Sequence, residues 1–325
     1  MNERGAAGWR EVIRRMLARG PGHRQTPYVF LAPFLLLFAV FGLLPLLFSL
    51  AMAFMRWDPV EGLGAMHYAG LSNFAFTLGD PWFWKSLSNT LWLSVASGVP
   101  QHLVAIPLAY FIHRSVRRMR DVVVAAYFAP YITSTVAIAI LSMALFSTDY
   151  GLVNAALAGL SSLPVLGRLF PAEAIDWLGS AAGVKPAVAI VVFWRFVGFN
   201  TVLYLAALQA IPEEIYEASE LDGASAFQRF WNITVPLLKP AMLFGFTLSV
   251  IGGLQLFDEP FVLTGGRGGP GQAGMTTAMY MYRTAFEFND FGAASAMSWL
   301  LFAVVAVMVG ATYRWRKPAA GSGDE

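Results

Sequence analysis

A few polar side chains interrupt long apolar stretches, and they are the residues that could do chemistry. They are Arg195, Asn200 and Tyr204 in one stretch, and Gln255 and Asp258 in and beside another. A charge at the middle of an apolar helix raises the free energy of membrane insertion by roughly 2.5–3.5 kcal/mol. Arg195 therefore needs a charged partner or must face a water-filled path. Amide, carboxylate and hydroxyl groups beside aromatic faces suit a hydroxylated solute. These five residues are therefore the candidate solute path.

These candidates also have structural interpretations. Arg195 could form a salt bridge to Asp258 or to a second subunit instead of lining a path. Gln255 could form a hydrogen bond between helices. His102 follows Gln101 in another apolar stretch, and we expect a neutral histidine that is either packed or facing a pore.

The sequence holds no pattern for catalysis or for a metal site. It has no cysteine, and its four histidines are too scattered for a metal site or a catalytic triad. Residues 266–271 fit G-x-G-x-x-G, but they include a proline and lack the flanking strand and helix, so we expect a turn. No G-x-x-x-x-G-K-[ST] occurs, so any ATP must be bound by another chain. We predict no catalytic residue, no metal and no cofactor in this chain.

Long apolar helices must position the candidate residues. Of the 325 residues, 57% are hydrophobic and 13% are charged, whereas soluble domains are about 45–50% apolar and about 25% charged. A helix needs about 20 apolar residues to cross a bilayer. We predict an all-α membrane protein with six transmembrane helices, at about 28–54, 87–112, 122–146, 187–210, 241–262 and 293–313. The net charge of +2 is too small to indicate nucleic-acid binding.

Lys and Arg predict the orientation, because cytoplasmic loops carry an excess of them. With the N-terminus inside, the inner segments hold 15 of these residues and the outer loops hold six, so we expect both termini in the cytoplasm. The first apolar stretch far exceeds the roughly 7–15 residues of a secretory signal core, and we expect it to remain as a span. The predicted organisation is a cytoplasmic segment 1–27, a membrane domain 28–315 and a cytoplasmic tail 316–325.

The loop at 211–240 is too polar to insert in a membrane and too apolar for a solvated linker. Apolar residues recur at three- and four-residue steps from Ile211 to Leu221, which predicts a helix with one apolar face. Asp222-Gly223 indicates a turn. A second apolar cluster follows, and we expect Pro236 and Pro240 to end the pattern before the fifth span. A helix–turn–helix with an apolar surface and an acidic rim is typical of a docking surface.

This loop resembles the cytoplasmic loop of ATP-binding-cassette (ABC) importer permeases, whose pattern is E-A-A, three residues, Gly, nine residues, Ile-x-Leu-Pro. The chain has Glu217-Ala218-Ser219, then Gly223, then Ile233-Thr234-Val235-Pro236. It departs from the pattern only by Ser219 for Ala and Val235 for Leu. The phrases at 208–212, 262–266 and 291–296 are similar to the carbohydrate branch of this family, near the maltose and glycerol-phosphate permeases.

The resemblance implies the type I importer permease fold and a role for the loop as the coupling helix of an ATPase. It implies an ATPase-coupling set of eight residues: Glu217, Ala218, Ser219, Asp222, Gly223, Ala224, Ile233 and Pro236. The implied partners are a second permease, a dimeric ABC ATPase that holds ATP and Mg, an extracytoplasmic sugar-binding protein and the lipid bilayer. The implied location is the bacterial inner membrane.

Two other classes remain as alternatives at this point. A stand-alone secondary sugar transporter would show internal inverted repeats and broken midplane helices, and no half-to-half similarity is visible. A membrane enzyme would need clustered acid–base or metal-binding residues at one depth, and only isolated polar residues are found.

Overall fold

The structure, a computed structural model, describes residues 26–115, 119–163 and 173–314. In these ranges five helices are long and apolar enough to cross a membrane, and a bent pair of helices makes a sixth crossing if it counts as one span. The prediction of an all-α membrane protein with six spans is therefore confirmed. Nearly all of the predicted terminal segments 1–27 and 316–325 lie outside the described residues.

The first span is one apolar helix made of α1 (Thr26–Phe38), a π-helical turn (Ala39–Leu43) and α2 (Leu44–Met52). A π-helical turn pairs each N–H with the carbonyl five residues back. This turn ends just before Pro45, which has no N–H to donate, so the wider turn lets the helix pass the proline. Nothing in the most apolar window of this span is buried, and its surroundings must therefore come from lipid or another subunit.

A short connection leads to the second span. It holds the antiparallel strands β1 (Met55–Arg56) and β2 (His67–Tyr68) and the helix α3 (Ser72–Gly79). The second span is α4 (Pro81–Ser115), which contains the predicted stretch 87–112 and extends it at both ends.

The third span, predicted as one helix over 122–146, is broken. Its halves are α5 (Arg120–Ile132) and α6 (Thr135–Leu145), which meet at 96°. The two residues between them are extended, with ψ of 149° and 128°. Pro130 in the last turn of α5 weakens the helix there, because it lacks an N–H. Hydropathy does not reveal the break, since both halves are apolar.

The fourth span follows a connection that contains α7 (Leu152–Ser161). This span is α8 (Ala181–Gln209), which agrees with the predicted 187–210 and begins about two turns earlier. Ser180 explains the early start, because its hydroxyl caps the helix by accepting a hydrogen bond from Gly183 N at 3.0 Å.

The loop at 211–240 forms α9 (Glu213–Leu221) and α10 (Ala226–Arg229), then a π-helical turn (Phe230–Thr234) that leads directly into α11 (Val235–Leu254). The expectation that Pro236 and Pro240 end the second helix is wrong. The π-helical turn lies just before Pro236, as another does before Pro45, and carries the helix past the proline. The second helix of the loop, α10, is therefore the N-terminal part of the fifth span.

The fifth span contains the predicted 241–262, since its apolar stretch runs over Ala226–Leu263, but its helix is interrupted. α11 stops at Leu254, and after three non-helical residues the short α12 (Asp258–Leu263) begins. α13 (Thr277–Phe286) follows, and the sixth span α14 (Phe291–Arg314) contains the predicted 293–313. Three 3-10 turns complete the connections: Pro59–Glu61, Leu63–Ala65 and Pro270–Gln272.

Packing between α4 and α8 forms the centre of the molecule. Their contact is the most extensive between two helices in the described ranges. Ala105 and Ala109 on α4 are buried against Leu205 and Leu208 on α8, and small side chains let the two backbones approach closely. α8 therefore serves as the axis of the bundle.

α5 lies on another side of α8 at one close crossing. A Cβ placed on Gly198 would stand 1.8 Å from the carbonyl oxygen of Tyr127. Only glycine fits there, so this residue sets the distance between the two helices.

Candidate functional site

A cavity of about 270 Å³ lies among α4, α5, α8 and α11, within the spans. Its polar lining comes from opposite helices, with Ser97 and Gln101 on α4, Asn200 on α8 and Ser249 on α11. Its aromatic lining comes from Tyr131, Phe196 and Phe199. The rings of Tyr131 and Phe199 are stacked, with centroids 4.7 Å apart. The cavity thus combines ring faces with amide and hydroxyl groups, the combination that suits a hydroxylated solute.

Asn200 is the predicted path residue that lies in this cavity. It is 1% exposed, and its Nδ2 donates to Gln101 Oε1 at 3.0 Å. Its Oδ1 is buried and has no hydrogen-bond partner among the described residues. A buried acceptor without a donor is unfavourable, so this oxygen needs a donor that the described residues do not supply.

Tyr204, the second predicted path residue on α8, does not line the cavity. It is fully buried, and its hydroxyl lies 2.7 Å from His102 Nδ1. The other ring nitrogen, His102 Nε2, lies 3.0 Å from the hydroxyl of Ser249. This chain of hydrogen bonds joins α8, α4 and α11. His102 is therefore packed, which is one of its two predicted placements.

Arg195 pairs with Glu259 on α12. The proposed salt bridge to Asp258 was wrong by one residue. Asp258 is exposed at the first position of α12, whereas Glu259 is 3% exposed on the inward side. The charge of Arg195 is thus compensated within the chain, and it fixes α12 to α8.

Gln255 and Asp258 lie away from Asn200. Both are exposed, and Gln255 lies in the break that follows α11 within the fifth span. Gln255 lines a different pocket of about 330 Å³, together with Ser49 on α2 and Trp299 on α14. Of the five predicted path residues, the structure places Asn200 in the cavity and the other four outside it.

The cavity residues that the sequence analysis did not propose for the path include Gln101, Ser249 and Tyr131. Gln101 and Ser249 are polar residues in apolar spans, so the rule that selected Asn200 could have found them. Tyr131 could not be found in this way, because it enters the cavity wall only through the bend that follows α5.

The turn between α9 and α10 has two defined caps. Gly223 has φ of 79°, a region that favours glycine. Gly223 N donates to Glu220 O and Ala224 N to Ser219 O, both at 3.0 Å, which is the Schellman arrangement that ends a helix. Ser225 then caps α10 in a capping box with Gln228. The predicted turn at Asp222-Gly223 is thus a fixed structure.

One face of α9 is buried and the other is open. Tyr216 is fully buried and Ser219 is 9% exposed, and burial raises the pKa of the Tyr216 hydroxyl, which keeps it protonated. On the open face, Leu221 is 91% exposed, and it lies among exposed residues that include Glu217, Ala218 and Asp222. This open face with the turn at 222–224 is called the docking surface below.

The structure brings six of the eight predicted coupling residues to the docking surface or its support. Glu217, Ala218, Asp222, Gly223 and Ala224 are exposed or half-buried there, and Ser219 lies beneath, with its hydroxyl donating to Tyr216 O at 2.7 Å. Ile233 and Pro236 lie apart, in and after the π-helical turn of the fifth span.

The sequence pattern of the family described as "binding-protein-dependent transport system inner membrane component" matches residues 103–318. This range includes the docking surface and three of the four helices that form the cavity. The chain belongs to this family. The permease is a multi-pass protein of the bacterial inner membrane, and the family favours a binding-protein-dependent transporter over a stand-alone secondary carrier.

Relatives of the permease are similar over nearly the whole chain. The arabinooligosaccharides transport system permease protein AraP of Bacillus subtilis (strain 168) is 31% identical over 303 residues, 93% of this chain and 90% of that protein. The lactose transport system permease protein LacF of Rhizobium radiobacter is 35% identical over 283 residues, 86% of this chain and 90% of that protein.

A solved structure shares the fold of the permease. It is the crystal structure of a bacterial ABC transporter involved in the import of the acidic polysaccharide alginate. One of its chains superposes with a TM-score of 0.74 at 22% identity, over 96% of this chain and 99% of that one. At this identity the likeness shows the fold, which is that of an ABC importer permease as expected.

Proposed function

We propose that the permease translocates a carbohydrate through an ATP-driven importer. It acts with a second permease subunit, a dimeric ABC ATPase and an extracytoplasmic sugar-binding protein. Relatives whose names specify arabinooligosaccharides, lactose and trehalose/maltose support a sugar as the solute. A second crystal structure of a bacterial alginate ABC transporter is in complex with an alginate pentasaccharide-bound periplasmic protein, which supports delivery by such a protein.

The main structural support for this proposal is the docking surface. Its exposed Leu221 stands among acidic residues at the tip of a rigid turn, which suits insertion into a cleft of another protein. Glu217, Ala218, Asp222, Gly223 and Ala224 make the contact with the ATPase. Ser219 supports them from beneath, and Ile233 with Pro236 link the loop to the fifth span.

Docking on the ATPase also requires that α9 lies on the cytoplasmic side of the membrane. The excess of Lys and Arg supports cytoplasmic termini and a cytoplasmic α9, so the docking surface faces the ATPase. ATP and Mg are held by that partner, and the permease itself contributes neither a catalytic residue nor a cofactor.

The solute passes the cavity within the spans. Asn200 Oδ1 accepts a sugar hydroxyl there, and the stacked rings of Tyr131 and Phe199 offer an apolar face. The volume of about 270 Å³ is near the lower end of the roughly 300–1,000 Å³ of small-molecule pockets. Gln255 and Asp258 are exposed at the outer end of the fifth span and contribute to the entrance, whereas Arg195 and Tyr204 hold the helices that form the path.

Gly223→Pro tests the docking surface. Proline holds φ near −65° and has no N–H, so it fits neither the φ of 79° at this position nor the hydrogen bond to Glu220 O. We expect ATP-driven sugar uptake to be lost while the permease still inserts in the membrane. Gly223→Asn is the matched control, because asparagine tolerates positive φ, and it should retain uptake. Normal uptake by Gly223→Pro would contradict the proposal.

A further inference from the structure

A cluster of ion pairs joins α9 to two spans. At the end of α4, Arg114 donates from Nη1 to Glu213 Oε1 at 3.0 Å and from Nη2 to Glu220 Oε1 at 2.6 Å. Arg229 on α10 pairs with the same oxygen of Glu220. These four residues are called the α9 clamp below.

The α9 clamp fixes the rotation of α9 as well as its position. Glu213 and Glu220 are seven residues apart, which is two turns and about 10 Å along the helix axis. One planar guanidinium that holds both carboxylates prevents α9 from turning about that axis. A lysine carries the same charge but lacks the rigid fork of donors, so it cannot keep this geometry.

A buried contact beneath the clamp reaches the same elements. The Tyr216 hydroxyl lies 3.0 Å from Thr234 Oγ1, and both residues are fully buried. The guanidinium of Arg114 lies 5.0 Å from the centre of the Tyr216 ring. Thr234 is the last residue of the π-helical turn. α9 is thus attached to the second span through Arg114, and to the fifth span through Arg229 and Thr234.

The α9 clamp is a network of charges rather than an isolated ion pair. The side chains of Glu213 and Glu220 are 46% and 48% exposed, whereas those of Arg114 and Arg229 are 20% and 15% exposed. Each pair taken alone adds little to the free energy of folding at such exposure. Glu217 and Asp222 are also exposed, yet they form no ion pair within the described ranges. The acidic residues of this segment thus divide into a set that binds the spans and a set that faces outward on the docking surface.

We propose that Arg114 and Arg229 are positioning residues that make α9 move as one body with the second and fifth spans. Both spans line the cavity, through Gln101 on α4 and Ser249 on α11. A displacement of α9 by the ATPase therefore carries these two walls with it and shifts them relative to Tyr131 on α5. This inference rests on the proposed function, in which α9 docks on an ATPase.

The test uses the complete importer in liposomes, with its ATPase, second permease and binding protein. Radiolabelled lactose, maltose and arabinotriose are offered to the wild type, and the sugar that it transports is used throughout. Arg114→Lys and Glu220→Gln should lower the number of sugars taken up per ATP hydrolysed by about fivefold or more, while the ATPase still co-purifies. Lys239→Gln removes a nearby charge that forms no ion pair in the described part of the chain and should keep the wild-type ratio.

A covalent cross-link in place of the Arg114–Glu220 ion pair tests whether the physical connection matters, rather than the charge. The chain has no cysteine, so Arg114→Cys with Glu220→Cys gives it two thiols at the clamp. The double variant should show the lowered ratio, and a short bis-maleimide cross-link should restore it.

Four results would each overturn one of the two proposals. A wild-type ratio in Arg114→Lys and Glu220→Gln, or no gain on cross-linking, would overturn the role of the clamp. Loss of the ATPase from the variant complexes would also overturn it, because the clamp would then serve docking. The absence of ATP-driven uptake in the wild type would overturn the proposed function itself.

Discussion

Gly245 on α11 has no side chain, and the hydroxyl of Tyr204 on α8 occupies the space that a side chain would need. A Cβ on Gly245 would stand 2.7 Å from that oxygen, which in turn lies 2.7 Å from His102 Nδ1. The glycine, the tyrosine and the histidine therefore form one unit across three spans.

Gly245→Ala should lower the free energy of unfolding by about 1–3 kcal/mol, the range for overpacking, because the methyl group pushes the Tyr204 hydroxyl away from His102. In a Tyr204→Phe background the same alanine should cost less, since the oxygen is gone. Tyr204→Phe alone should cost about 0.6–1.7 kcal/mol, as other hydrogen bonds between membrane helices do. Unfolding of the four proteins in detergent measures these values, and an equal cost of alanine in both backgrounds would contradict the shared contact.

Gly198→Ala should be more damaging than Gly245→Ala. Its methyl group would meet a backbone oxygen at 1.8 Å, which cannot move without separating α5 from α8. We expect a loss of at least about 3 kcal/mol, the upper end of the overpacking range, measured by thermal unfolding in detergent. Gly310→Ala is the matched control on α14, because its added Cβ meets nothing within 4 Å. Equal stability of the two variants would refute the close crossing.

Arg195→Met should destabilise the permease by about 3–5 kcal/mol, because it leaves the buried carboxylate of Glu259 without its partner. Adding Glu259→Leu removes that carboxylate and should recover most of the loss. Unfolding measurements on the single and double variants test this. If the double variant is no more stable than Arg195→Met, the ion pair with Glu259 is not the reason why the loss of Arg195 destabilises the permease.

Gly252→Leu tests the cavity as the solute path. Gly252 lines the cavity, and a Cβ there meets nothing within 4 Å, so the leucine side chain can enter the open space without a clash at its first atom. Sugar uptake should fall at least about tenfold, because the side chain takes the space of the solute, while the ATPase remains bound. Gly310→Leu, which adds the same group at an exposed position on α14, should leave uptake unchanged. Full uptake by Gly252→Leu would place the path elsewhere.

The positions of the spans and of the turn at Gly223 were predictable because they depend on local properties. An apolar stretch of sufficient length needs no partner in order to be recognised, and glycine at a positive φ follows from the chemistry of one residue. The same holds for Asn200, a polar residue that stands out in an apolar helix.

The errors concern contacts between elements. Glu259 rather than Asp258 meets Arg195 because the direction of each side chain depends on where α12 begins, which hydropathy does not define. Pro236 does not end a helix, because a π-helical turn precedes it, and such a turn has no simple sequence signal. Tyr131 reaches the cavity only because the chain bends after α5.

The bend in the third span also determines how movement can spread through the permease. α5 packs mainly on α8, whereas α6 packs mainly on α12 at the C-terminal end of the fifth span. Because the halves meet at 96°, a push along one of them has almost no component along the other. A load applied along α5 is therefore passed mainly to α8, and a load applied along α6 mainly to α12.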